Sequence, residues 1–97
     1  MEKIKLEQNS KVKRNKNVIF KEVDGVVFIL DPQKSIVRTL NETASFVWQS
    51  LSKSQSIKKL TQLLSENFRV EEKKASADLK RFVLQYLKEG LFTLSKK

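Results

Sequence analysis

The side chains able to do chemistry in this chain are few, and most of the usual kinds are missing. Carboxylates stand at Glu22, Asp24, Asp31 and Asp78, but there is no histidine and no cysteine to pair with any of them. Imidazole acid–base catalysis, thiolate nucleophiles, disulfides and the common zinc ligand sets are thereby removed together. Glu22, Asp24 and Asp31 fall in strand or turn surroundings with no nucleophile–base set beside them, and Asp78 reads as a wet helix residue. The two glycines, Gly25 and Gly90, belong to no phosphate-cradling loop. No catalytic residue, no metal ligand and no cofactor are expected. What remains is recognition. Twenty Lys and Arg against eleven Asp and Glu give a formal net charge of +9, which attracts anionic surfaces without choosing among nucleic acid, an acidic peptide and a negatively charged enzyme.

Ninety-seven residues, 39% of them hydrophobic, suit one small domain with a modest core. The N-terminus lacks the uninterrupted apolar stretch of a secretion signal, and no run approaches the ~20 residues that cross a bilayer. A cytoplasmic protein without membrane insertion is the expectation.

The elements that would position a binding surface can be read in order. Residues 1–17 form a basic N-terminal segment, in which the alternation of Ile4 and Leu6 admits a short edge strand over residues 3–7 or a mobile tail. Its cluster Lys11, Lys13, Arg14 and Lys16 could touch phosphates or acids, or serve only as a solvated face. Residues 18–30 read as a hairpin about Asp24-Gly25, a dipeptide favoured in two-residue turns because glycine accepts positive φ. In its second arm Val26, Phe28 and Leu30 oppose Val27 and Ile29, which predicts a central strand at least partly covered on both faces. Asp31-Pro32-Gln33-Lys34 supplies a further turn. The half-polar run from Ser35 to Leu40 then predicts a sheet edge, whose unpaired backbone could accept another extended chain or be guarded by Arg38.

Three helices should follow. Asn41 caps the first, with Ala44, Val47, Trp48 and Leu51 on its buried stripe, so that Trp48 is a core residue rather than a stacking platform. Ser56 caps the second, which runs to about Asn67 through Ile57, Leu60, Leu63 and Leu64. The third runs from about Glu72 to Glu89, with Ala75, Leu79, Phe82, Val83, Tyr86 and Leu87 apolar and Gly90 just past its end. Residues 95–97 are expected to fray. The sum is an α+β, winged-helix-like domain over residues 18–94, a three-stranded antiparallel sheet followed by three helices. A winged helix can bind DNA, although here the strands precede all the helices and the basic residues are scattered. Peptide capture on the edge strand beside the last helix is the other use of this architecture, and a scaffold that contacts only an enzyme is a third.

The order of features resembles the PqqD family, also called the peptide recognition element of pathways that modify ribosomally made peptides, and particularly its small free-standing members associated with lasso peptides. The resemblance covers residues 4–92 and rests on DGVVFILDPQKSIVRTLNETASFVW, SIKKLTQLLSENFRV and ASADLKRFVLQYLKEGLF. Leu40-Asn41 falls at the family's strand-to-helix junction, Trp48 at its large apolar position, and Asp78 and Gly90-Leu91 in its final helix and helix end. Lys34-Ser35-Ile36-Val37 departs from the Gly and aromatic residue often found near the third strand of related members, and Ala44 replaces a frequent glycine.

The resemblance implies a noncatalytic protein that binds the leader of a precursor peptide as an added antiparallel strand lying against the third helix. The loaded precursor would then be presented to a maturation enzyme, such as a leader peptidase or a radical enzyme. Carried onto this chain, the strand contribution would come from Ser35, Ile36, Val37, Arg38 and Thr39. The helix contribution would come from Lys74, Asp78, Arg81, Phe82, Gln85 and Tyr86. Within that set Phe82 and Tyr86 would line an apolar pocket, Asp78 would orient a guest donor or Arg38, and Arg81 would attract a leader carboxylate.

Overall fold

The computed structural model describes residues 5–31 and 33–95. Ile4 of the expected N-terminal strand, Pro32 of the expected turn, and Lys96 and Lys97 lie outside the described residues. The fold is α+β. Its strands are β1 (Lys11–Arg14), β2 (Ile19–Val23), β3 (Val26–Leu30), β4 (Val37–Thr39), β5 (Gln55–Ser56) and β6 (Phe92–Ser95). Its helices are α1 (Glu42–Ser50), α2 (Ile57–Phe68) and α3 (Glu72–Lys88).

The expected sheet is present as β2-β3-β4, antiparallel throughout with β3 in the middle. Asp24 and Gly25 both take positive φ, 52° and 80°, as a two-residue hairpin turn of the primed kind requires. Asn41 caps α1 by accepting the Ala44 N–H at 2.8 Å, and Ser56 caps α2 by accepting the Lys59 N–H at 3.0 Å. At the far end of α3, Gly90 at φ 78° lets the Leu91 N–H donate to the Tyr86 carbonyl and its own N–H to that of Leu87. This is the double bond pair of a left-handed helix stop.

A second three-stranded sheet, β5-β1-β6, joins the two ends of the chain. Residues 5–7 are irregular, and the strand of the N-terminal segment lies at Lys11–Arg14, where Val12 is fully buried and faces Leu94 of β6. Lys11 and Lys13 thus alternate with a core residue. The core gathers Val12, Ile29, Val47, Trp48, Leu60, Leu79, Val83 and Phe92. Trp48 is its centre, edge-on to Phe20 of the first sheet at 5.3 Å and stacked on Phe92 of the second at 5.8 Å.

Strand β3 is central, as expected, and its two faces are covered unequally, with Phe28 half-buried on the outer one. Val27 and Ile29 are buried, whereas Leu30 and Val26 stand at least one-third exposed on the other face. The register places Ile19, Leu30 and Val37 in one cross-strand row of that outer face and Val23 with Val26 in another. Ile19 and Val37 are 66% and 65% exposed. The core has a single layer of helices to offer, and it lies on the inner side.

Candidate functional site

The site is built on the open edge of β4. In an antiparallel ladder, residues that bond to one neighbour alternate with residues whose N–H and C=O point the other way. The Leu40 N–H donates to Val27 O at 2.9 Å and the Asp31 N–H to Ile36 O at 2.8 Å. With the register Ile29↔Arg38 between them, Ile36, Arg38 and Leu40 are the residues that bond to β3. Val37 and Thr39 therefore turn their amides and carbonyls to the open side, where neither has a backbone partner among the described residues. Four backbone groups are thus left without a strand partner. At about 1 kcal/mol net for each hydrogen bond made, they outweigh any exposed ion pair, worth roughly 0–1 kcal/mol.

The earlier part of the expected strand is otherwise engaged. Ser35 sits at φ 55° and gives its N–H to Asp31 O, and the Ile36 carbonyl is taken by Asp31, so both belong to the turn before β4. The Asp31 carboxylate holds that turn, accepting the N–H groups of Gln33 at 2.8 Å and Lys34 at 3.1 Å. It is 2% exposed. The Gln33 N–H above all, then those of Lys34 and the Arg38 guanidinium, hold its pKa below the ordinary carboxylate range against the opposing effect of burial.

Arg38 is on the inner face of β4 and bridges the sheet to α3. Its Nη1 donates to Glu89 Oε1 at 2.5 Å and to Asp31 Oδ2 at 3.3 Å, while the guanidinium lies 5.3 Å from the Tyr86 ring centre. The bond to Glu89 raises the Arg38 pKa further, so the charge is permanent. Burial pushes the Glu89 carboxyl up, but hydrogen bonds from Arg38 and Gln85 overcome it and leave the pKa lowered. Burial raises the Tyr86 phenol. Tyr86 is itself a core residue at 5% exposure, packed on Phe82 and Phe92 and lining neither cleft of the groove between α1 and α3.

Beyond Thr39 the chain enters α1, and a groove opens between the start of α1 and the middle of α3. Two adjoining clefts of about 130 Å³ each lie there. Asn41, Ala44, Val47, Leu79 and Phe82 line the first, Phe68, Val70, Lys74 and Ala75 the second, and Thr43, Leu64 and Asp78 are common to both. Asp78 is paired with Lys74 at 3.4 Å and with Arg81. Gln85 donates to Glu89 at 2.6 Å.

The structure thus brings Lys74, Asp78 and Phe82 together in the groove, and gathers Arg38, Gln85 and Tyr86 around Glu89, outside the lining of both clefts. Val37 and Thr39 supply the edge, Ser35 and Ile36 the turn before it, and Arg81 an outer flank. Sequence reasoning missed Glu89 and Thr43. The i, i+4 spacing of Gln85 and Glu89 at the end of a helix was the available signal for the first, and Thr43 carried none.

Among the described residues no group of acidic side chains is placed to hold a metal, and no helix is long and apolar enough to cross a membrane. A family model described as coenzyme PQQ synthesis protein D (PqqD) matches residues 27–91, the stretch from the middle strand of the β2-β3-β4 sheet to just past α3. No curated protein and no solved structure matches the chain.

Proposed function

The chain belongs to the PqqD family, a family of peptide-binding partner proteins in the biosynthesis of modified ribosomal peptides, and on that premise we propose that it binds a precursor's leader segment. The leader adds as an antiparallel strand to β4, lays alternate side chains into the groove between α1 and α3, and is held there for a maturation enzyme. The protein performs no chemistry on it. The observation that carries this reading is the outward pair of Val37 and Thr39, four unpartnered backbone groups on a strand that leads within two residues to Asn41 on the wall of an apolar groove.

The test is a titration of the isotope-labelled protein with the leader of a precursor encoded beside it. Backbone resonances of Val37, Arg38 and Thr39 and of residues 74–86 should move, and those of β2 and β6 should stay. Changes confined to β2 or to the terminal sheet would sink the assignment. Val37→Pro sharpens it, because the lost N–H is one that β3 does not use. Leader affinity should fall about tenfold or more, from one lost bond and the obstructing ring, in a variant whose circular dichroism matches the parent. Saturable binding of duplex DNA with a steep salt dependence and no response to the leader would replace this reading with a nucleic-acid one.

A further inference from the structure

We propose that the groove reads the order of charges along its guest, favouring an extended peptide whose acidic residues precede its basic ones; this rests on the strand-addition reading above. The direction follows from the path of the chain. Arg38 of β4 lies beside Glu89 at the C-terminal end of α3, and the residues after β4, Asn41 and Thr43, lie beside Asp78 and Leu79 in its first half. β4 therefore runs against α3. A strand added antiparallel to β4 then runs in the same sense as α3. Its N-terminal half meets Lys74, Asp78 and Arg81, and its C-terminal half meets Arg38, Asp31 and Glu89.

These two clusters carry opposite charge. Lys74 and Arg81 share the single carboxylate of Asp78, leaving one positive charge. Arg38 is shared between Asp31 and Glu89, leaving one negative charge. The dipole of α3 has the same polarity, positive at its N-terminal end, where Glu71 and Glu72 offset part of it, and negative at its C-terminal end, where Lys88 does. Other cations do not cancel the pattern. Lys73 and Lys80 of α3 line a different cleft with Gln8 and Lys58, while Lys34 and Lys88 are exposed and make no ion pair with Asp31 or Glu89. The negative cluster is also the more buried, with side-chain exposures of 25%, 2% and 19% for Arg38, Asp31 and Glu89, so salt screens it less.

Two synthetic peptides of identical composition and identical apolar positions test the proposal, one with two Glu near its N-terminus and two Lys near its C-terminus, the other with these exchanged. At low salt the acid-first peptide should bind about three- to tenfold more tightly to the full chain, and the gap should narrow as salt rises. In the charge-reversed variant K74E/R81E the preference should vanish or invert. Equal affinities at low salt, or a preference that this variant leaves untouched, would overturn the charge-order inference while shifts at the Val37 and Thr39 amides kept strand addition standing. Absence of those shifts with both peptides would overturn strand addition itself.

Discussion

The two sheets of this molecule have the same number of strands and opposite duties. β2, β3 and β4 follow one another along the chain through short turns, expose an apolar outer face, and leave the β4 edge unpaired. β5, β1 and β6 come from distant parts of the chain, pairing Lys11 with Ser95 and Lys13 with Thr93, and send Val12 and Phe92 wholly into the core. The first is a sheet that can afford to be incomplete. Its missing edge and bare face are tolerable because α1 holds its inner side and the terminal sheet closes the core from the opposite direction.

Substitutions in the two sheets should separate these duties. The largest effect is expected from Val12→Asp, which places a carboxylate at a fully buried position in the middle of the terminal sheet. We expect a loss of at least about 3 kcal/mol, read from denaturant unfolding. A midpoint close to that of the parent would show that the terminal sheet is dispensable.

An intermediate effect is expected at the Arg38 bridge, which ties the β2-β3-β4 sheet to the end of α3. Asp31 and Glu89 both have lowered pKa values in the fold, so their contribution is complete above the ordinary carboxylate range and is lost as pH falls through the folded values. Melting temperature should therefore drop as pH is lowered from about 7 to about 3. Glu89→Gln should cost about 1 kcal/mol at neutral pH and make that acid-side drop smaller. An unchanged pH profile in Glu89→Gln would mean that the bridge contributes nothing measurable. The smallest effect is expected from Ile19→Thr on the bare outer face, within about 0.5 kcal/mol of the parent, and a loss as large as that of Val12→Asp would refute the idea that this face is unsupported.

The same contrast explains what could be read from the sequence. Asp24-Gly25, Asn41, Ser56 and Gly90 are local signals, each acting within a few residues, and each stands where the fold uses it. The β4 edge was legible because half of Ser35 to Leu40 is polar, beside a more apolar strand. The terminal sheet was not. Its pairing joins residues 11–14 to 92–95, and in KVKR the only apolar residue is Val12, too little for a periodicity to register. Along β3, alternation tells which residues share a face but not how thinly the outer one is covered. At the site itself, Phe82 was assigned to a pocket through the family resemblance, and it lines the first cleft. The bridge through Glu89 depends on Arg38 reaching across the gap between two elements, a distance no local pattern carries.

Trp48 turns the relation between the two sheets into an optical signal. It is the single tryptophan of the chain, wholly shielded from water, with a ring of one sheet on one side and a ring of the other on its opposite flank. Its emission therefore needs no label and no competing background to be assigned. Detachment of either sheet from α1 would admit water to the indole and shift its emission to longer wavelength, so one fluorophore reports both attachments at once.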